Sequence, residues 1–246
     1  MKRTPLFVVL MALCCFSCQE HHSTMELNGG LILPENKVWA HGVNDTQTAQ
    51  IKEKQFEGME LDLIYSSHQN QLFVGHNEKD TLKGLTLEQW FAALEHPEKM
   101  YFWLDMKNLS YQTADSIAVL IHNVLAKYHL IDRAFVENPD SWCLKKVKAH
   151  QLHTSLWVSS FRWSSIDTTT WVEKVNQQIQ NAHPDAISCE YGMFEALTTY
   201  FDDQNIFLWH TPVPYTAENA ELTQRFCNHP SVKIVLVDYD TPNLNP

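Results

Sequence analysis

The feature that most constrains this chain is the regular alternation of β-strand patterns with helical patterns. Segments such as Ala114–Tyr128 place apolar residues at i, i+3 and i+4, and Asp167 and Thr216 are suitable helix N-caps. The strand candidates are eight short apolar or β-branched runs: Val38–His41, Met59–Ile64, Tyr101–Met106, Ala134–Glu137, Thr154–Ser159, Ala186–Cys189, Ile206–Trp209 and Val232–Val237. Strands that alternate with helices favour a parallel sheet, and eight strands close a barrel. We therefore predict an α/β fold, a single (β/α)8 TIM barrel over residues 35–246.

The first seventeen residues have the pattern of an export signal. Lys2 and Arg3 precede an apolar run, Leu6 to Phe16, that is too short to span a bilayer. Cys18 follows the small Ser17 directly, which resembles a bacterial lipoprotein signal in which that cysteine is lipidated. The prediction is a signal peptide over residues 1–17 and a lipid-anchored protein of the bacterial cell envelope, in the periplasm or on the outer membrane. Plain secretion is the alternative.

The segment after the predicted lipidation site is polar and contains Gly29 and Gly30. Polar, glycine-containing termini are typical of flexible connections. Residues 18–34 are therefore predicted to be a tether between membrane and barrel.

Charge and cysteine content exclude several classes of protein. The chain has 18 Lys+Arg against 29 Asp+Glu, a formal charge of −11, so nucleic acid is not an expected partner. A phosphate-bearing substrate stays possible because a bound divalent cation reverses the local charge. Outside the signal segment and Cys18, the chain has three cysteines, Cys143, Cys189 and Cys227, which allow at most one disulfide. The sequence has no CxxC pair of the kind that binds zinc in zinc fingers, so a zinc-finger protein is not expected. The oligomeric state is left open.

Strand alternation places charged side chains inside the barrel. In the second strand candidate, Glu60 and Asp62 fall on one face while the residues between them pack on helices. In the third, Asp105 and Lys107 share the inner face. Three carboxylates and one ammonium group sum to −2, and buried charge of this kind needs compensation. A divalent cation with hard oxygen ligands, Mg²⁺ or Ca²⁺, would provide it.

Two histidines are predicted to flank this acidic set. His41 ends the first strand candidate, and His76 ends a short run that follows a polar turn after the second. Active sites of barrels gather at the carboxyl ends of the strands. Because imidazole titrates near neutral pH, His41 and His76 are candidates for general base and general acid.

The order of these motifs resembles a known group of barrel enzymes. The motifs are His41-Gly42-Val43-Asn44, Glu60-Leu61-Asp62, Gly75-His76 and Asp105-Met106-Lys107. They look like the glycerophosphodiester phosphodiesterase-like superfamily, also called PLC-like phosphodiesterases, which includes phosphatidylinositol phospholipase C and spider-venom sphingomyelinase D. The resemblance implies that Glu60, Asp62 and Asp105 bind the metal, that His41 and His76 form the acid–base pair, and that Lys107 holds the phosphate.

Two departures from the pattern point to particular branches. Gly42 stands where glycerophosphodiesterases usually carry an arginine, and Asp105-x-Lys107 replaces their Glu-x-Lys. The motif from His41 to Asn44 is more similar to sphingomyelinase D, and Asn44 is a candidate substrate-binding residue. The stretch Leu85 to Leu109 resembles the menorin-like proteins of the same superfamily.

Later motifs supply further candidates for the substrate pocket. Trp209 resembles the tryptophan of the family's seventh strand, which typically covers the substrate, and Asp238 falls in a degenerate form of its closing Thr-Asp-Tyr-Pro motif. Glu190 and Arg162 lie after strand candidates, and Arg162 could replace the missing phosphate-binding arginine. A packing role for Trp209 and surface roles for the other two are the alternatives.

The sequence thus predicts a metal-dependent phosphodiesterase that acts on a glycerophosphodiester or a (lyso)phospholipid headgroup. The resemblance implies that a neighbouring hydroxyl of the substrate can be the nucleophile, which would give a cyclic phosphate. Two other functions remain open. One is a barrel lipoprotein that has lost catalysis and binds lipid or glycan, and the other is a glycoside hydrolase that uses Glu60 or Glu190.

Overall fold

The computed structural model describes residues 24–27, 29–163, 166–211 and 214–239. The predicted signal peptide and Cys18 lie outside these residues. The strands of the described chain are β1 (Thr24–Glu26), β2 (Ile32–Pro34), β3 (Val38–Ala40), β4 (Gly58–Ser66), β5 (Gln71–Val74), β6 (Tyr101–Met106), β7 (Ala134–Asn138), β8 (His153–Trp157), β9 (Ala186–Glu190), β10 (Ile206–His210) and β11 (Val232–Val237). The helices are α1 (Thr46–Lys52), α2 (Leu87–Ala92), α3 (Ala114–Lys127), α4 (Ser141–Ala149), α5 (Thr168–Ala182), α6 (Phe194–Tyr200) and α7 (Ala217–Cys227).

Eight of these strands form a closed parallel barrel. Their order around the barrel is β3, β4, β6, β7, β8, β9, β10 and β11, and β11 pairs with β3 to close it. Helices lie between successive barrel strands, so the structure confirms the predicted (β/α)8 TIM barrel. All eight predicted strands are present. The expected N-caps are present too, because Asp167 accepts from the backbone N–H of Thr170 and Thr216 from that of Asn219.

The barrel has two apolar regions. The larger lies between the strands and the surrounding helices, where outward residues such as Leu61 and Leu104 are fully buried. The smaller fills the lower, amino-terminal end of the barrel interior with aromatic side chains, including Trp39, Phe135 and Phe207. This arrangement leaves the polar side chains of the interior at the upper, carboxyl end.

The second half of the predicted tether is instead part of the folded domain. Strands β1 and β2 pair as an antiparallel hairpin, and Leu27, Leu31 and Leu33 are buried in the aromatic region at the lower end of the barrel. Burying three leucine side chains offsets part of the entropy cost of ordering this short segment. Strands β1 and β2 therefore cover the lower end of the barrel, which corrects the predicted role of that part of residues 18–34.

A second hairpin extends one barrel strand beyond the carboxyl end. The long strand β4 pairs with β6 and, in its upper half, with the antiparallel β5. The backbone N–H of Gly75 donates to the carbonyl of Asp62 at 2.9 Å, which brings the segment after β5 back over the barrel mouth.

Within the part of the chain described here, no helix has the length and apolar character needed to cross a membrane. Cys143, Cys189 and Cys227 are free thiols.

Candidate active site

Three carboxylates converge at the upper end of the barrel. Strands β4 and β6 pair in parallel with Asp62 opposite Asp105, so Glu60, Asp62 and Asp105 all project into the interior. Glu60 and Asp62 are only 2% and 6% exposed. One oxygen from each of the three carboxylates lies within 4.8 Å of the other two. The predicted acidic cluster is therefore formed by the fold.

Residues of the first loop hold two of these carboxylates in place. The backbone N–H of Gly42 donates to Oε2 of Glu60 at 2.6 Å, and Gly42 has a φ of 66°, a left-handed conformation that favours glycine. Asn44 binds Asp62 twice: its Nδ2 donates to Oδ2 of Asp62 at 2.6 Å, and its Oδ1 accepts the backbone N–H of Asp62 at 2.8 Å. Gly42 and Asn44 thus position the acidic cluster.

Lys107 lies among the carboxylates. Its Nζ is 2.5 Å from Oδ1 of Asp62, and it also donates to Asp105. Burial lowers the pKa of Lys107, but the carboxylates of Asp105 and Asp62 outweigh that effect and raise the pKa overall, so the ammonium form is stabilised. At Asp62 burial raises the pKa of the carboxyl group, but the ammonium group of Lys107 outweighs that effect and lowers the pKa overall.

One ammonium group does not compensate all three acids. Burial and the neighbouring Asp62 raise the pKa of Glu60 to about 8, and burial raises the pKa of Asp105 despite its contact with Lys107. Carboxylate oxygens this close are hard donors of the kind that Mg²⁺ and Ca²⁺ prefer. The donor set therefore fits a divalent cation, whose charge would favour the ionised form of Glu60.

His41 is held between two carboxylates at the end of β3. Its Nδ1 lies 2.6 Å from Oδ1 of Asp238, and its Nε2 is 3.8 Å from Oε2 of Glu60. Burial lowers the pKa of His41, but the hydrogen bond to Asp238 and the charge of Glu60 outweigh it and raise the pKa above its ordinary value. The imidazole is oriented with Nε2 toward the acidic cluster.

His76 approaches the cluster from the opposite side. Its Nδ1 lies 3.2 Å from Oδ2 of Asp62, and its side chain is 70% exposed. Its backbone N–H donates to Oδ2 of Asp80 at 3.0 Å, which fixes the loop after β5. The two predicted histidines thus flank the carboxylates, one partly buried and one open to solvent.

A cavity of about 540 Å³ opens above this group. Its polar lining includes His41, Glu60 and Asp105, and the indoles of Trp157 and Trp209 form apolar walls. Trp209 is thus one of the residues that line this cavity; its contact with a substrate stays a prediction. A mixture of apolar walls and a few convergent polar groups is typical of a ligand-binding site.

Three other predicted substrate-binding residues are placed differently. The described residues that line the cavity do not include Asn44, Arg162 or Glu190. Asn44 is bound to Asp62, as described above. Glu190 is 7% exposed and accepts hydrogen bonds from Ser160 (3.2 Å) and from the backbone N–H of Gly192 (2.8 Å). A guanidinium nitrogen of Arg162, Nη1, lies 3.7 Å from Oε1 of Glu190. The described contacts of Glu190 and Arg162 are thus with each other and with their own loops.

The structure adds a carboxyl group that sequence reasoning missed. Glu137, at the end of β7, lies opposite Asp105 on the neighbouring strand, lines the cavity and is 5% exposed. Burial and the nearby Asp105 raise the pKa of Glu137 well above its ordinary value. Its position at a strand end, two residues after a buried Phe135, was the available sequence signal.

Comparisons with known proteins place the fold. No family model matches the chain, and no curated protein matches its sequence. A glycerophosphodiester phosphodiesterase structure from Parabacteroides distasonis is 14% identical, covering 82% of this chain and 92% of that one, with a TM-score of 0.61. An Oleispira antarctica phosphodiesterase, solved with the product sn-glycerol-3-phosphate, is 12% identical over 83% and 93% of the two chains, with a TM-score of 0.60.

A barrel with a different role is also similar. The glycerol uptake operon antiterminator regulatory protein of Listeria monocytogenes is 14% identical, covering 89% of this chain and 98% of that one, with a TM-score of 0.56. At these identities the likeness concerns the fold.

The fold and the carboxylate cluster define the class as a (β/α)8 barrel with a polar site at the carboxyl ends of its strands. More particularly, its fold is similar to that of the glycerophosphodiester phosphodiesterase structures.

Proposed function

We propose that the protein is a metal-dependent phosphodiesterase that cleaves a small phosphodiester. The observation that carries this proposal is the convergence of Glu60, Asp62 and Asp105 within 4.8 Å, between the side chains of His41 and His76. The similar phosphodiesterase folds support it. A glycoside hydrolase that uses Glu190 gains no comparable support, because Glu190 is not among the described residues that line the cavity and accepts hydrogen bonds from Ser160 and from the backbone N–H of Gly192.

The carboxylates of Glu60, Asp62 and Asp105 would hold the cation, Mg²⁺ or Ca²⁺. When bound, the cation supplies Lewis-acid stabilisation of charge on the phosphoryl oxygens. The ammonium group of Lys107 lies among the carboxylate oxygens of Asp62 and Asp105, and would bind the phosphate of a substrate held there. The acidic interior would thus accept an anionic substrate.

The two histidines divide the proton transfers. His41, oriented through Nδ1 by Asp238, presents Nε2 as one acid–base group. His76, which is exposed at the mouth, is placed to exchange a proton with the leaving group or with solvent. The nucleophile is a water molecule or a neighbouring hydroxyl of the substrate, and the latter gives a cyclic phosphate.

The membrane location is also a proposal. The sequence pattern around Cys18 supports a lipid anchor in the bacterial cell envelope, and the substrate is then a phosphodiester or phospholipid headgroup that reaches the barrel there. Soluble secretion is the other outcome.

A panel of glycerophosphodiesters and lysophospholipids, incubated with Mg²⁺, with Ca²⁺ and with EDTA, tests the proposed activity. We expect turnover that EDTA abolishes and that Glu60→Gln reduces together with metal affinity. The matched control is Glu88→Gln, which changes a surface carboxylate paired with Lys127. Substrate binding without turnover under saturating metal would reject the enzymatic proposal and favour a binding lipoprotein.

A further inference from the structure

Three buried polar side chains lie between the last two barrel strands and α7, and the proposed mechanism does not use them. They are here named the hydroxyl bridge: His210 at the end of β10, Thr223 on α7 and Tyr239 shortly after β11. Nδ1 of His210 lies 3.1 Å from Oγ1 of Thr223, which lies 2.9 Å from the phenolic oxygen of Tyr239. The three residues are only 1%, 3% and 7% exposed. The hydroxyl bridge therefore joins two strand ends through one helix.

The groups of the hydroxyl bridge complement one another as donors and acceptors. A threonine hydroxyl can donate one hydrogen bond while it accepts another, so Thr223 can bond both of its neighbours at once. Burial lowers the pKa of His210, which favours the neutral imidazole with one donor and one acceptor nitrogen. The imidazole also packs against the rings of Tyr191 and Phe226, at centroid distances of 4.5 and 5.7 Å. Movement of any one group would leave a buried partner unpaired, so the arrangement is rigid.

The hydroxyl bridge lies directly behind two residues of the candidate site. Successive side chains of a strand point to opposite faces, so His210 contacts α7 while Trp209 lines the cavity. Beyond β11, Tyr239 likewise contacts α7, while Oδ1 of Asp238 lies 2.6 Å from Nδ1 of His41. Fixing the outward side chain of such a pair therefore also restricts the direction of its inward neighbour.

Asp238 depends on such support because it follows the last strand. Val237 ends β11, and its carbonyl accepts the backbone N–H of His41 at 3.0 Å. The side chain of Asp238 is 31% exposed, so packing restricts it only in part. The residue lies between Val237, which the sheet holds, and Tyr239, which is buried and bonded to Thr223. The hydrogen bond of Tyr239 thus helps to orient the neighbouring carboxylate.

We propose that the hydroxyl bridge is a positioning device for the proposed reaction: it directs Asp238, and through Asp238 the His41 imidazole. The proposal rests on the proposed function for the part that His41 takes in proton transfer. With the bridge intact, the carboxylate stays within hydrogen-bond distance of Nδ1 of His41, and without it the carboxylate turns toward solvent. A misplaced acid–base group slows proton transfer while the binding of substrate and metal is retained.

Substitutions that remove one hydroxyl at a time test this role. Thr223→Val and Tyr239→Phe keep the shape of the side chain while they break the bridge. We expect each to lower kcat roughly 10-fold, whereas KM and the affinity for Mg²⁺ or Ca²⁺ stay nearly constant. Thr223→Ser keeps the hydroxyl and should retain the unmodified kcat. The matched control is Thr198→Val on α6, which removes a half-buried hydroxyl bonded to the backbone carbonyl of Phe194 and should leave kcat unchanged.

An NMR measurement that needs no turnover reports the position of Asp238 separately. The ¹⁵N chemical shifts of the His41 ring, recorded through its carbon-bound protons at a pH where the ring is neutral, show which nitrogen carries the proton. A carboxylate at Nδ1 favours the Nδ1–H tautomer. We expect that tautomer in the unmodified protein and in Thr223→Ser, and a mixture of tautomers in Thr223→Val and Tyr239→Phe. Denaturant titration of each variant records its stability.

The outcomes distinguish failure of the positioning role from failure of the proposed activity. An unchanged tautomer in both Thr223→Val and Tyr239→Phe would overturn the proposal, and a loss of kcat that merely follows a loss of stability would reduce the bridge to packing under α7. A changed tautomer with full kcat would overturn its link to the reaction. A changed tautomer in a protein whose unmodified form cleaves no diester would retain the positioning of Asp238 and reject the phosphodiesterase.

Discussion

His41 and Asp238 are 197 positions apart in the chain, yet Nδ1 of His41 lies 2.6 Å from Oδ1 of Asp238. The two residues meet because β11 pairs with β3 and closes the barrel, which brings the residue after each strand to the same point on the rim. Closure of the fold therefore completes the orientation of the His41 imidazole, the proposed acid–base group.

This pair predicts the pH dependence of the reaction. The hydrogen bond and the charge of Asp238 help to raise the pKa of His41, so Asp238→Asn should lower that pKa. His41 then loses its proton at lower pH, and the limb of the kcat/KM profile that it controls should move to lower pH. Titration of the imidazole by NMR checks the same shift directly.

A surface pair of the same type provides the control for this prediction. Oδ1 of Asp115 lies 3.2 Å from Nε2 of His150, and neither residue lines the cavity. Asp115→Asn should leave the pH profile unchanged. An unaltered profile in Asp238→Asn would show that His41 does not depend on Asp238.

Lys107 predicts a separation of metal affinity from turnover. Its ammonium group contacts Asp62 and Asp105, the carboxylates that would bind the cation, so it competes with the metal for them. Lys107→Met should therefore increase metal affinity, on the order of 10-fold, while removing a phosphate contact and lowering kcat by roughly 100-fold. Calorimetric titration with Mg²⁺ or Ca²⁺ and steady-state kinetics measure the two effects.

Lys127→Met, which breaks an exposed pair with Glu88, is the control and should change neither quantity. A fall in metal affinity in Lys107→Met would mean that the ammonium group organises the carboxylates rather than competing for them.

The parts of the site that sequence reasoning found share one property: they follow from local alternation. Glu60 and Asp62 fall on the same face because side chains alternate along β4, and Asp105 and Lys107 do so along β6. In each strand the apolar residues must face the surrounding helices, so the charged residues that alternate with them face the barrel interior. Strand alternation alone was therefore enough to predict that these four residues point inward.

What sequence reasoning did not find depends on contacts between distant segments. Leu31 and Leu33 carry little periodic signal in a short segment, and their burial depends on the aromatic side chains of four barrel strands. Glu137 is a single acid in a short strand, and its neighbours Asp105 and Ser188 come from other strands. Arg162 and Glu190 lie near strand ends as expected, but loop hydrogen bonds set their direction.

The bottom hairpin predicts a stability difference between adjacent residues. Leu31 and Leu33 are fully buried, whereas Ile32 between them is only partly covered. Leu31→Ala or Leu33→Ala should lower the free energy of unfolding by about 2–5 kcal/mol, because each leaves a cavity at the closed end of the barrel. Ile32→Ala is the matched control and should cost less. Denaturant titration measures all three, and equal small effects would show that residues 24–34 behave as a tether.

The same hairpin limits how close the candidate site can come to the membrane if Cys18 carries a lipid anchor. Only five residues, Gln19 to Ser23, separate Cys18 from Thr24 of β1, which bounds the reach of the connection at about 22 Å. The hairpin lies at the lower end of the barrel and the site at the upper end, with strands about 20 Å long between them. An anchored protein would therefore hold its site away from its own membrane.

We expect the lipidated protein in vesicles to cleave soluble glycerophosphoinositol but not phosphatidylinositol of the same bilayer. Insertion of about 20 Gly/Ser residues after Ser23 should relieve this restriction, since such a linker spans roughly 25 Å on average. The non-lipidated Cys18→Ser form is the control for soluble turnover, and mass spectrometry reports the lipid itself. Rapid cleavage of the bilayer lipid by the lipidated protein without the insertion would contradict the orientation.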